Sequence, residues 1–142
     1  MKSILMIYLM VVFSQLTLAN NNNYFEEAKK LFDEKKYEKS KFLFERNITY
    51  NPKDANSYLY LAKIFKYEED EKNEEKNINT TLLLDPKNEE ATYLLIDIEI
   101  KRSNFLKAKK LKKDFKTICL TMCDKLLSIE SRLKDFEKKD AT

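Results

Sequence analysis

Two short stretches of this chain share their punctuation. Asn51-Pro52-Lys53-Asp54 and Asp85-Pro86-Lys87-Asn88 contain its only two prolines, which stand 34 residues apart, and each leads into an apolar run at helical spacing. The residue before a proline resists the helical region, so each stretch reads as the end of one helix and a turn into the next. A turn-into-helix unit repeated at a fixed interval cannot bury its apolar face alone; copies must stack to build a core. The chain is thereby constrained to a row of similar helical pieces.

Composition narrows the choice further. There is no glycine, which argues against tight hairpins and phosphate-cradling loops and for helices joined by short turns. The 142 residues suffice for about one domain, with 43% hydrophobic residues to form a core. The net charge of +3 points to no class of partner by itself. Histidine is absent, which removes every triad, dyad or metal site built on imidazole. The acidic run from Glu68 to Glu75 is rich in carboxylates, but nothing sets two of them in a water-excluding cleft where their acidities would be tuned apart. The expectation is a protein that is not an enzyme and needs no cofactor.

In chain order, Lys2 precedes an unbroken apolar run of ten residues, Ile4 to Phe13, and Thr17-Leu18-Ala19 closes it with a small residue. This order reads as a secretory signal peptide over 1–19, cleaved after Ala19; the run is well short of the roughly 20 residues of a spanning helix. Read through to Ala19, the same segment makes an uncleaved anchor the alternative. A polar linker, 20–23, follows. Apolar residues then recur at helical spacing: Tyr24, Ala28, Leu31 and Phe32; Tyr37, Phe44 and Ile48 with Ser40; Tyr58, Leu61, Ala62 and Phe65; Ile78 and Leu82 with Thr81 in a helix from Lys72 to Leu84; Ala91, Leu94, Leu95 and Ile98; and Phe105, Ala108 and Leu111. Asp54 and Asn88 are the expected N-caps of two of these helices. Thr121-Met122-Cys123-Asp124 has the form of a capping box with Asp for Glu and predicts a last helix through Leu126, Ile129, Leu133 and Phe136.

These residues resemble the tetratricopeptide repeat (TPR) family, whose unit is a helix pair with a small residue in each helix and a proline near the end. Ala28 and Ala62 fill the first small slot, Ser40 and Ala108 the second, Tyr37 and Phe105 the aromatic slot between, Phe44 and Ile78 the later large slot, and Pro52 and Pro86 the end. The resemblance implies an all-α, right-handed solenoid of about three helix pairs (24–53, 54–87 and 88–118) with a capping helix and tail over 119–142. The sequence departs from the pattern at Glu71 and Glu74 in the second unit, and at Ile96 and Leu120 in the third. The acidic second helix and the proline-free junction at Leu120 are therefore the expected weak joints.

In this family the first helices of successive pairs line a concave groove that holds a peptide, a helix or a partner surface. Carried over, that groove is lined by Phe25, Lys29, Phe32 and Asp33, by Leu59, Lys63, Lys66 and Tyr67, and by Tyr93, Asp97, Ile100 and Lys101. Aromatic and apolar side chains presented outward would form a contact patch; the other reading is that Phe25, Leu59 and Tyr93 pack within the stack. The cationic clamp by which some relatives grip chaperone C-termini is missing, since the corresponding places hold Phe25, Lys29, Tyr60, Glu90 and Leu94.

Between positions 101 and 125 nine Lys and Arg face only Asp114 and Asp124. Such a strip is either a solvated face or, through Lys109, Lys110, Lys112, Lys113 and Lys116, a contact for an anionic surface. It lacks the interleaved aromatics of base stacking, and nucleic acid is not an expected partner. Cys119 and Cys123 are four apart, which on a continuous helix aims them poorly at one another; a break near Leu120 would permit an internal bond, and otherwise they are core residues or one bridges a second chain. Two cysteines without histidine do not make a zinc site. Asn47-Ile48-Thr49 and Asn79-Thr80-Thr81 match the glycosylation pattern but fall in predicted helices, and are read as accidental. The reading overall is an exported scaffold, periplasmic or secreted, that binds a protein or peptide in its groove. The alternative is an envelope protein with membrane contact, held by an uncleaved N-terminus or by the basic strip.

Overall fold

The structure, a computed structural model, describes the backbone of residues 23–139 and the side chains of residues 23–135. The expected signal peptide (1–19), the first residues of the linker and the Phe136 side chain lie outside the described residues. Seven helices occur among them, with no strand: α1 (Tyr24–Asp33), α2 (Tyr37–Tyr50), α3 (Ala55–Tyr67), α4 (Glu71–Leu84), α5 (Glu89–Lys101), α6 (Phe105–Ile118) and α7 (Lys125–Lys139). Helices α1–α2, α3–α4 and α5–α6 form three antiparallel pairs, and α7 packs on the last of them. The result is a right-handed α-solenoid. The starts of α2, α4 and α6 are spaced by 34 residues, as are the ends of α1, α3 and α5.

The turn inside each pair shows why the period is so regular. Each first helix ends in a residue with left-handed backbone, Lys35 (φ 59°), Glu69 (φ 59°) and Ser103 (φ 58°), again 34 apart. Around them the N–H of Lys36 donates to the Leu31 carbonyl, that of Asp70 to Phe65 and that of Asn104 to Glu99, at 2.8–2.9 Å. An inner bond to the carbonyl of Phe32, Lys66 or Ile100 completes each turn. These are three Schellman motifs, which normally place glycine at the left-handed residue. With no glycine in the chain, three ordinary residues bear a conformation that costs roughly 1–2 kcal/mol each. The last residue of each turn also caps the next helix, and Asp70 does so with its side chain, which accepts from the Asn73 N–H at 3.1 Å.

Between pairs the two proline motifs form turns closed by Asp54 N–H to Asn51 carbonyl (3.1 Å) and Asn88 N–H to Asp85 carbonyl (3.2 Å). Asn88 then caps α5 through the Ala91 N–H, whereas Asp54 turns its carboxylate to Asn47 and Ser57 instead. Asn47 is buried and spends its amide hydrogens on Asp54 and Ser57, which leaves no amide free to carry a glycan in this fold. Asn23, read as linker, is the cap of α1 and accepts from the Glu26 N–H.

The third junction differs. Residues 119–124 are not helical, and Cys119 and Cys123 form a disulfide across them with Cα atoms 5.3 Å apart. Thr121 does not cap α7. Its N–H and that of Met122 donate to the Glu89 carboxylate at 3.0 and 2.8 Å. Burial raises the Glu89 pKa, but these backbone donors outweigh it and hold the carboxyl below its usual range. A crosslink and a carboxylate anchor thus replace the missing proline.

Three apolar clusters run along the stack, and the first helices are shared between them. Ala28, Phe44, Leu61 and Ile64 form the first; Leu59, Ala62, Ile78, Ala91, Leu94, Leu95 and Ile98 the second; and Ile96, Ile100, Ala108, Phe115, Ile129 and Leu133 the third. Where α1 and α2 cross, Ala28 and Ser40 are fully buried and the Ser40 hydroxyl donates to the Ala28 carbonyl at 2.8 Å. The second pair is not loosened by its acidic helix: Glu74 takes the place of Ser40 and is itself buried. In the third pair the large residue, Ile96, sits on the first helix and Ala108 on the second, both fully buried. Replacing Lys35 or Ser103 by glycine is expected to raise stability by about 1 kcal/mol each, by relieving the left-handed backbone. Urea denaturation of the single variants measures this; a loss of stability would contradict the account of the turns.

Candidate functional site

The first helices of the three pairs, α1, α3 and α5, share one face of the stack along which their side chains meet, and Arg132 of α7 reaches Asp97 of α5. Between α1 and α3 this face is an aromatic panel. The Tyr60 ring lies 5.9 Å from Phe25, 5.0 Å from Phe32 and stacked at 5.0 Å on Phe44. These edge-to-face and stacked arrangements fix the rings on each other, each pair contributing about 0.5–1.5 kcal/mol beyond simple burial. Burial, with Asp33, Glu90 and Glu26 nearby, raises the Tyr60 hydroxyl above its ordinary value and keeps it protonated. Tyr60 is the centre of the panel; by sequence it falls at a clamp position of the groove helices but outside the expected groove lining. Its signal was present in the spacing, since Phe25 and Phe32 are seven apart on α1 and one ring on α3 can touch both.

Toward α5 the face becomes a ladder of ion pairs. The Lys63 ammonium lies 4.8 Å over the Tyr60 ring and 5.3 Å from Phe32, and pairs with Glu90 at 2.8 Å. Lys66 pairs with Asp97 at 3.2 Å, and Asp97 takes Arg132 of α7 at 2.6 Å. Asp97 is 13% exposed, so these charges are screened far less than a surface pair. Two rungs tie α3 to α5, and the third ties α5 to α7.

Of the residues assigned to the groove, Lys29, Tyr67 and Lys101 are exposed, and Tyr67 is 68% exposed with its ring 4.3 Å from that of Tyr37. Phe25, Phe32 and Tyr93 are half-buried; the first two join the panel and Tyr93 packs 6.3 Å from Phe115. Lys63, Lys66 and Asp97 are half-buried and engaged in the ladder. Leu59 and Ile100 are core residues, at 6% and 3% exposure, and present nothing to the groove. Helix α3 is buried on two sides, which a single apolar stripe does not reveal.

The basic strip is partly neutralised. Arg102 pairs with Glu71 and Glu75 at 2.7 and 2.8 Å. Lys107 pairs at 2.6 Å with Glu99, whose side chain is 1% exposed and also accepts from Asn104. Lys112 reaches Glu130 at 3.9 Å, while Lys109, Lys110, Lys113 and Lys116 lie on the exposed side of α6. Among the described residues no group of three or more Cys, Asp or Glu is placed to hold a metal ion, and no helix is long and apolar enough to cross a membrane.

The backbone has a close counterpart in the TPR domain of Sgt2 from Aspergillus fumigatus, with a TM-score of 0.70 over 87% of this chain and 83% of that one, at 12% identity. The chain has the tetratricopeptide-repeat fold. A chain of the CopN–Scc3 complex is similar too, with a TM-score of 0.64 over 85% of this chain and 72% of that one, at 15% identity. No family model and no curated protein matches the sequence. The low identities fit a fold specified by slot chemistry and period more than by particular residues. Replacing Leu59 by Ser is expected to lower the unfolding free energy of this TPR stack by about 2–5 kcal/mol, as for other large-to-small core changes. Lys29→Ala should stay within about 0.5 kcal/mol of the parent, and Tyr67→Ala, which loses the ring contact with Tyr37, should cost about 0.5–1.5 kcal/mol. Thermal melts of the three variants check this, and a neutral Leu59→Ser would return that residue to the groove.

Proposed function

We propose that this TPR protein is an exported, non-enzymatic scaffold that binds a segment of another protein along its concave face. The observation that carries the reading is the rigid aromatic panel of Phe25, Phe32 and Tyr60, flanked by Lys63 and continued by charged rungs. Rings fixed by one another lose little conformational freedom when a partner arrives, and aromatic side chains dominate binding energy at protein interfaces. The ladder settles most of the face's own charges, so the panel supplies affinity and the exposed Lys29, Tyr67 and Lys101 supply selectivity. One structural counterpart belongs to a complex of two proteins, which supports a protein as the partner. Export is supported by the order of Lys2, the apolar run Ile4 to Phe13 and Thr17-Leu18-Ala19.

A second reading rests on the exposed lysines of α6. Lys110, Lys113 and Lys116 form a cationic edge that suits an anionic membrane surface, each contributing about 1 kcal/mol near such a surface.

Photocrosslinking in the native cell separates the two. Crosslinkers at Lys29, Tyr67 and Lys101 are expected to capture one protein partner, and the captured chain should begin at Asn20. Crosslinkers at Lys110 and Lys113 should capture none. Adducts confined to α6, on a chain that keeps residues 1–19 and sediments with membranes, would instead establish the second reading.

A further inference from the structure

Glu74 stands where a helical pair of this kind needs a small residue. The equivalent positions are Ser40, whose hydroxyl donates to a backbone carbonyl, and Ala108, which asks for nothing. Glu74 is 2% exposed, and its Oε1 has no hydrogen-bond partner. A buried, unpaired oxygen of a carboxyl group costs about 1–3 kcal/mol or more, so such an atom calls for a partner. Glu74 also lines a 400 Å³ cavity between the end of α3, the start of α4 and the end of α5, walled by Lys66, Glu69, Glu71 and Lys101. Two of its wall residues, Lys66 and Lys101, are also among those assigned to the groove.

We infer that this cavity is a subsite for a guanidinium group, the side chain of an arginine in the segment the groove binds. The lining carries three carboxyl groups against two ammoniums, and Lys66 already faces Asp97 at 3.2 Å. One Glu71 oxygen is taken by Arg102 at 2.7 Å, so Glu74 at the floor, Glu69 at the rim and the second Glu71 oxygen are the acceptors left to a ligand. A guanidinium has five donors in a planar fork, which matches carboxylates presented from more than one side; an ammonium is a single point of charge. Burial, more than any neighbour, raises the Glu74 carboxyl above its ordinary range, with Glu71 and Asp97 adding to it and Lys66 and Lys101 opposing it. An incoming cation would reverse that balance and return the group to its ionised form. The subsite rests on the groove reading proposed above, and supplies its partner with one required residue type.

The test is an NMR titration of the full chain with N-acetyl-arginine methylamide, set against the citrulline analogue, which has the same shape without the charge. The arginine derivative is expected to shift the amides of residues 69–75 and Lys101 in a saturable way, and the citrulline derivative to bind at least tenfold more weakly. Glu74→Gln should abolish the preference while the helical circular dichroism is retained. Glu69→Gln changes an exposed residue and should weaken the arginine response severalfold without touching the core. Equal responses to the two compounds, or an unchanged preference in both variants, would overturn the inference. A response that appears only in Lys101→Ala would also overturn it, assigning the cavity to Lys101. Loss of the subsite with the groove crosslinks intact removes this inference alone. Arginine binding with no groove crosslink removes the scaffold reading and leaves the subsite.

Discussion

The stack depends on the burial of α5. Eight of its thirteen residues, Ala91, Thr92, Leu94, Leu95, Ile96, Ile98, Glu99 and Ile100, are buried. Ala91, Leu94, Leu95 and Ile98 belong to the cluster shared with α3 and α4, whereas Ile96 and Ile100 belong to the one shared with α6 and α7. Two cores that would otherwise be separate are joined through one helix. Its polar positions serve the same end: Glu89 holds the loop before α7, Glu90 and Asp97 take lysines of α3, and Asp97 takes an arginine of α7. The neighbour-on-neighbour energetics of repeat proteins therefore converge here on a single element.

How the chain keeps a 34-residue period is a separate matter of turns. Three Schellman closures set the angle within each pair, and proline turns set the angle between the first two junctions. None of the three closures uses glycine. The left-handed residues are held because the hydrogen bonds on either side of them are also the end of one helix and the start of the next. At the last junction, without a proline, the chain is held by the Cys119–Cys123 crosslink and by Glu89, and the link lengthens to six residues. The period can lapse there because α7 needs to cover only one side.

Much of this was legible in the sequence. The paired proline motifs and the alanines at 28 and 62 gave the helix pairs and their order, because a close helix crossing and a forced turn each allow few residue types. The burial of α5 on more than one side was less legible: apolar residues fall at nearly every position from Leu94 to Ile100, with only Asp97 and Glu99 between them, so no single stripe stands out. Leu59 was placed in the groove by analogy of position and lies in the core, since α3 packs against both the first and the second pair. The roles of Asp97 and Glu89 depend on residues more than 30 positions away, and local spacing carries no such information. Glu74 looked like a defect of packing; the fold accommodates it without a partner for its oxygen.

The panel and the ladder are useful to a binding protein only if the first helices keep their places, and α5 is what keeps them there. Native-state hydrogen exchange tests this most directly, because it reads the opening free energy of each helix separately. The amides of Leu94 to Ile98 should exchange last, only through global unfolding, with α1 and α7 opening at lower free energy. An α5 that exchanges as readily as α1, or an α1–α2 pair that remains protected after α5 has opened, would contradict the account.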